Sequence, residues 1–414
     1  MKRTIPVAVL ACATLVLTGC GGRSNSTESS SSASGNCDVG ITDTTVKLGS
    51  SIPLSGPGAA YGEIAHTAKK YFDSLNAEGG VEMGDGMKRK IELTVLDDAY
   101  DPARTVSNAR ELVDKTGVFS LFSVLGTSPN EAIYDYVNGK GIPNLFMSTG
   151  SDVFLAQHDK KPWGMAWLPQ YGWEADVFAK YIAKEKPDAK VGILYQNDGY
   201  GKGILAGFEK AFKDTDVTIV SKQGYEQSGG SADAQVSKLK ASGADVFVDY
   251  ATGTFVTQSL KKAADLGWKP LTILGSGNNH ASLVGPAGAD AVTGTISFNW
   301  LKDVADDSWG DDAGMKAWQD FADGAKGVDA TDGASANGYT MAQLMVETFK
   351  KMDGCKRQDL LDAVQSLDGA QADLLLPGVA VSTTDDYPYF IETVQMLEFD
   401  GKTWEATGDP VNRP

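Results

Sequence analysis

The chain has 414 residues, 42% of them hydrophobic and 22% charged. That is too polar for a multi-span membrane protein, and long enough for two or three domains of ~150 residues. A formal charge of −17 disfavours nucleic acid, because a phosphate backbone needs a basic footprint. Three histidines and four cysteines leave little for Cys/His zinc modules or a disulfide scaffold, and neither a metal nor a cofactor is expected.

Lys2 and Arg3 precede an apolar run over residues 5–17, followed by Thr18-Gly19-Cys20. This is the order of a secretory signal, and its apolar core is short of the ~20 residues that span a bilayer. Leu17-Thr18-Gly19-Cys20 resembles the lipobox of bacterial lipoproteins. The resemblance implies removal of residues 1–19, a lipid on Cys20, and an extracytoplasmic chain anchored to the outer face of the cell membrane. Residues 20–44 then form a tether, since 21–36 are almost all Gly, Ser, Asn and Thr and cannot bury enough apolar surface to order themselves. Cys12 leaves with the signal. Cys37 and Cys355 form an even pair outside the cytoplasm, either bonded to each other or two buried thiols.

Beyond the tether strands and helices alternate. Residues 45–53 read as a strand, 61–76 as a helix with Ile64, Ala68 and Phe72 on one face, and 91–96 as a strand. Asp101-Pro102 opens a helix, and 118–124 is nearly all apolar, as a strand covered on both faces should be. Ser128-Pro129-Asn130-Glu131 predicts a helix start with Ser128 as its cap, and 142–147 is the next strand. After Trp163 the rhythm resumes with helices at 171–184, 200–212, 232–242 and 255–266, and strands at 190–195, 218–222, 245–250 and 271–274. Such alternation predicts an α/β fold with two doubly wound parallel sheets. From 296 the pattern is more helical (312–325, 336–352 and 357–367), and strand-like alternation returns in the tail around Val394 to Phe399.

Open α/β sheets bind ligands at the carboxyl ends of their strands. After the first strand, Ser55-Gly56-Pro57-Gly58-Ala59-Ala60-Tyr61-Gly62 has the wrong glycine spacing for a dinucleotide loop, and there is no P-loop. Leu125-Gly126-Thr127-Ser128 and Ser148-Thr149-Gly150-Ser151 place small hydroxyls where helices begin, which predicts an anion site of backbone N–H groups, helix dipole and hydroxyls. The second half offers Asn197 to Gly201, Asp249 to Gly253 and Ser276 to His280, aromatic and amide groups suited to a small organic ligand with an apolar body. His280 has no Ser or Cys nucleophile to serve. The pairs Asp97-Asp98 and Asp385-Asp386 read as solvated turns rather than acid/base pairs.

These segments carry a resemblance. Gly49 to Gly56 with Tyr61-Gly62, Asn76-Ala77-Glu78-Gly79-Gly80-Val81, Asp97-Asp98 with Asp101-Pro102, Gly126-Thr127, Tyr195 to Asp198 with Tyr200-Gly201, and Gly243-Ala244-Asp245 are similar to the type I periplasmic solute-binding proteins of ABC importers, in the leucine/isoleucine/valine-binding branch, which includes relatives that bind aromatic carboxylates. The resemblance implies two α/β lobes, 45–163 with 300–388 and 164–299 with 389–414, joined by three hinge crossovers. It implies a binding protein rather than an enzyme, a monomer that delivers a small carboxylate to ABC permease subunits. A ligand-sensing receptor module of the same fold and a cleft enzyme are the alternatives. Its ligand contacts, carried over by position, are Tyr61, Gly126, Thr127, Ser128, Ser148, Thr149, Gly150, Tyr200, Thr252 and Gly277. Gly277 departs from the amino-acid binders, which place there a glutamate for the α-ammonium; Asp249 is a candidate substitute, though it lies three residues before Thr252. An ammonium buried without its carboxylate costs several kcal/mol, so a non-amine acid, aromatic among them, gains over an α-amino acid.

Overall fold

The computed structural model describes residues 37–414; the signal segment, Cys20 and the tether up to Asn36 lie outside the described residues. Two sheets organise them. The first contains β1 (Thr45–Ile52), β2 (Val81–Glu82), β3 (Lys88–Asp97), β4 (Ser120–Phe122), β5 (Asn144–Met147) and β6 (Gly164–Ala166), in the order β2-β3-β1-β4-β5-β6. All its pairings are parallel except β2 with β3. The second contains β7 (Lys190–Gln196), β8 (Thr218–Tyr225), β9 (Val246–Tyr250), β10 (Leu271–Leu274), β11 (Ile296–Asn299), β12 (Thr393–Phe399), β13 (Trp404–Ala406) and β14 (Val411–Asn412). Its order is β13-β12-β11-β10-β9-β7-β8, with β14 also on β12, and β12 runs antiparallel to β11. β4, β5 and β9 are buried along their whole length, which is why their sequences are mostly apolar, without polar alternation.

The chain passes between the sheets after β6, after β11 and before β12, so each lobe is built from separated stretches. β6 pairs with β5 through Asn144 and Gly164, so the first crossover follows Ala166 rather than Trp163. The return stretch supplies the helix Gly333–Lys351, which packs on the helix Gly62–Ala77 of the first lobe. Gly338 makes the approach possible, since a Cβ there would lie 2.2 Å from the Ile64 carbonyl oxygen. Residues 37–44, expected in the tether, are fixed to the first lobe instead. Cys37 is bonded to Cys355, the Asp38 N–H donates to the Cys355 carbonyl, and the Lys47 N–H to that of Gly40. The Arg357 guanidinium completes the attachment through Val39, Val118 and Phe119 carbonyls.

Candidate ligand-binding cleft

The carboxyl ends of both sheets face a shared cleft of about 670 Å³, part of it open to solvent. From the first lobe comes the loop after β4. Gly126 adopts φ 99°, and a Cβ on it would meet the Tyr100 ring at 2.6 Å, so only glycine fits. Gly126 is therefore the N-cap, two residues before the Ser128 cap predicted from sequence, and the helix spans Thr127–Lys140. The Thr127 hydroxyl lies 2.8 Å from that of Thr149, which arrives from the loop after β5. In the first turn of this helix Thr127 and Ser128 carry N–H groups with no intrahelical acceptor, as at any helix start, while Pro129 has none, and Gly126 and Thr127 line the cleft.

Tyr61, Gly126, Thr127, Ser148, Tyr200, Thr252 and Gly277 all line the cleft. Ser128, Thr149 and Gly150 do not. Ser128 does not cap its helix; its hydroxyl donates to Asp198 of the second lobe (3.3 Å) and accepts from the Gly199 N–H (3.3 Å). Thr149 stands behind Thr127 and accepts from the Ser151 N–H. Gly150 is a packing position, where a Cβ would lie 1.9 Å from the Pro169 carbonyl oxygen and 2.9 Å from the Tyr171 ring. The helix after this loop, Asp152–Gln157, is six residues long and its Ser151 cap makes no side-chain bond, and of the expected Ser148-Thr149-Gly150-Ser151 loop Ser148 alone lines the cleft.

The lobes meet across the cleft through their own groups. The Tyr61 hydroxyl donates to Asn278 Oδ1 (2.8 Å) and accepts from the Gly253 N–H (2.9 Å). Asn278 in turn donates to the Tyr200 hydroxyl (3.0 Å). Pro57 accepts from the Thr254 N–H, and Tyr100 reaches Asp198. Tyr100 has φ 62°, a conformation held by its N–H bond to the Asp98 carboxylate. Asp98 is thus a buried structural group, bonded also by Ser51 and Thr105, and not the solvated turn residue expected.

Sequence reasoning missed Tyr100, Trp167, Tyr171, Asn299, Trp300 and Asn337, all of which line the cleft. It also missed Glu174. That buried carboxylate accepts from the Tyr250 hydroxyl and from the N–H and hydroxyl of Ser276, so it props the loop carrying Gly277 and Asn278. Burial pushes its pKa up. Asp249 is pushed up to about 7 by burial; it accepts from Ser259 and the Ala251 N–H behind β9, outside the cleft, so it cannot substitute for the missing glutamate. His280 lines the cleft, and burial lowers its pKa, against the pull of Asp332 and Asp303, favouring the neutral ring. Among the described residues no group of three or more His, Cys, Asp or Glu is placed to hold a metal.

A family model described as periplasmic binding protein matches residues 45–400. The chain belongs to that family. Its members and structural neighbours are substrate-binding proteins of transport systems rather than enzymes, and they work outside the cytoplasm. The Leu/Ile/Val-binding protein homolog 8 of Brucella abortus is 25% identical over 340 residues, covering 78% of this chain and 80% of the relative. A branched chain amino acid ABC transporter protein from Thermus thermophilus, solved with bound valine, superposes with a TM-score of 0.77 at 19% identity, over 89% of this chain and 97% of that one. A fatty acid ABC transporter substrate-binding protein from Thermomonospora curvata gives 0.78 at 20% identity, over 91% and 95%. The fold is thus that of the type I periplasmic binding proteins, with two α/β lobes.

Proposed function

We propose that this periplasmic binding protein is the solute-binding subunit of an ABC importer, held on the outer face of the membrane by a lipid on Cys20, and that it captures a small carboxylate and presents it to the permease. The observation that carries this reading is the first-lobe wall of the cleft, where Gly126 and Thr127 at the start of the helix Thr127–Lys140 line the space together with Ser148. A carboxylate there gains charge-assisted hydrogen bonds and a favourable helix dipole, the bonds contributing ~1.5–3 kcal/mol each. The ligands named for the relatives, valine in one and a fatty acid in another, have a carboxylate in common. Tyr61, Tyr200, Thr252 and Gly277 then close over the apolar remainder from both lobes, and the ligand selects the closed form in proportion to its extra contacts there.

Three measurements test the reading. A carboxylate at a hundred times its dissociation constant should stabilise the protein by ~2.7 kcal/mol, visible as a raised melting temperature. Small-angle scattering should show compaction on adding the same compound; binding without compaction would sink the hinged closure. For the anchor on Cys20, mass spectrometry of the membrane fraction should find diacylglycerol on that residue.

A further inference from the structure

Tyr61 belongs to the first lobe, yet its hydroxyl is engaged by the second. The Gly253 N–H donates to its oxygen at 2.9 Å, and the phenol proton goes to Asn278 Oδ1 at 2.8 Å. A phenol has a single proton to give, so a carboxylate in the cleft, which needs a donor, gains none from Tyr61. Both bonds have ordinary lengths, whereas the Asp198 contacts with Ser128 and Tyr100 stretch to 3.3 and 3.4 Å. Of these two places where the lobes touch, the one at Tyr61 is the tighter.

Both partners are held in place within their own lobes. Asn278 sits on a turn in which its N–H donates to the Gly275 carbonyl, and Glu174 fixes that turn through the N–H and hydroxyl of Ser276. Asn278 Nδ2 donates to the Tyr200 hydroxyl of the same lobe, which leaves Oδ1 for Tyr61. On the first lobe, the Tyr61 N–H donates to the Gly58 carbonyl. Groups ordered beforehand lose little freedom on meeting, so the contact keeps most of its worth. With the lobes apart, water serves these groups. With the lobes together and the phenol oxygen removed, Asn278 Oδ1 and the Gly253 N–H would be buried without that partner, so the loss falls on the closed form alone.

We infer that Tyr61 and Asn278 form a latch between the lobes that holds a fraction of the protein closed whatever the ligand, and so sets affinity without setting selectivity. This goes beyond the carboxylate reading, because the latch bonds join protein to protein. A ligand that binds only the closed form has its affinity scaled by the closed fraction. Small-angle scattering of the ligand-free full chain tests the latch. Losing both bonds of Tyr61 should lower the closed-to-open ratio about tenfold. Tyr61→Phe should therefore show a larger radius of gyration than wild type, with the circular dichroism spectrum unchanged. Asn278→Ala should enlarge the radius from the other lobe. Either variant matching the wild-type radius overturns the latch. Calorimetric titrations with valine and with octanoate add the second readout: Tyr61→Phe should weaken each probe that wild type binds by the same factor, to within about twofold. Unequal factors would make Tyr61 a reader of ligand chemistry and overturn the inference. The scattering comparison decides it whichever probes bind, and neither result bears on the carboxylate reading.

Discussion

Thr127 stands at the start of a helix, and its hydroxyl has a partner in Thr149. Replacing it by Val keeps the shape and removes one donor to the proposed carboxylate. Thr127→Val should weaken ligand binding roughly tenfold or more, the loss of a bond worth ~1.5–3 kcal/mol, with a small change in melting temperature. Calorimetry checks it, and unchanged affinity would take Thr127 out of the anchor. Asp249 makes a different prediction because it is a buried β9 residue outside the cleft lining. Its carboxyl is raised from 3.8 to about 7 by burial. The folded state therefore binds this proton more tightly than the unfolded chain does. The stability it contributes is fully present below pH 4 and lost as pH rises through 7, roughly 4 kcal/mol for a shift of this size. Glu174 and Asp198, also raised by burial, add slopes of the same sign. Asp249→Asn should flatten the stability profile between pH 4 and 7 relative to wild type and be the more stable protein at pH 8. Urea titrations across that range measure it, and parallel profiles would count against a buried acid here.

The segment from Cys37 to Thr44 shows how one element is held by distant ones. The disulfide to Cys355 spans 318 residues of sequence, and the Arg357 fork binds carbonyls of the same region. Long closed loops restrict the unfolded chain most, and native disulfides typically contribute 2–5 kcal/mol. Changing both cysteines to serine should therefore lower the melting temperature by several degrees while leaving ligand affinity within about twofold, since neither residue is near the cleft. This attachment was half legible, because an even pair of extracytoplasmic cysteines leaves bonding open and nothing in residues 38–44 announces order. The alternation of strands and helices was readable because buried parallel strands are mostly apolar without a polar face, as at β4, β5 and β9. β2, β6, β13 and β14 were not, being two or three residues long and made by their neighbours rather than by propensity. Ser128 looked like a cap because the pattern Ser-Pro-x-Glu fits one, yet the turn needed positive φ and Gly126 took the position. Asn299 and Trp300 carry no local signature. They reach the cleft because the chain changes lobes there, and that is a property of topology.

At the scale of the whole molecule, function depends on how closely the lobes can meet. Gly253 has φ 55° and ψ −136°, its N–H donates to Tyr61, and a Cβ on it would lie 2.1 Å from the Pro57 carbonyl oxygen of the other lobe. Thr254 donates its N–H to that same oxygen, so this is a seam of the closed molecule. Gly253→Ala would act as a wedge at the seam, and it would also strain the second lobe by ~1–3 kcal/mol, since L-residues avoid this backbone region. The two effects are separable. Gly243 also has positive φ, 77°, and lies in the same lobe, but a Cβ on it would meet nothing within 4 Å. Gly243→Ala should lower the melting temperature by a few degrees and leave affinity and ligand-induced compaction as in wild type. Gly253→Ala should lower the melting temperature by a similar amount, weaken binding at least tenfold, and keep the scattering radius of the open form when ligand is added. If the two variants bind alike, the seam between Pro57 and Gly253 does not govern closure, and the contacts of Asp198 with Ser128 and Tyr100 become the place where the lobes are held.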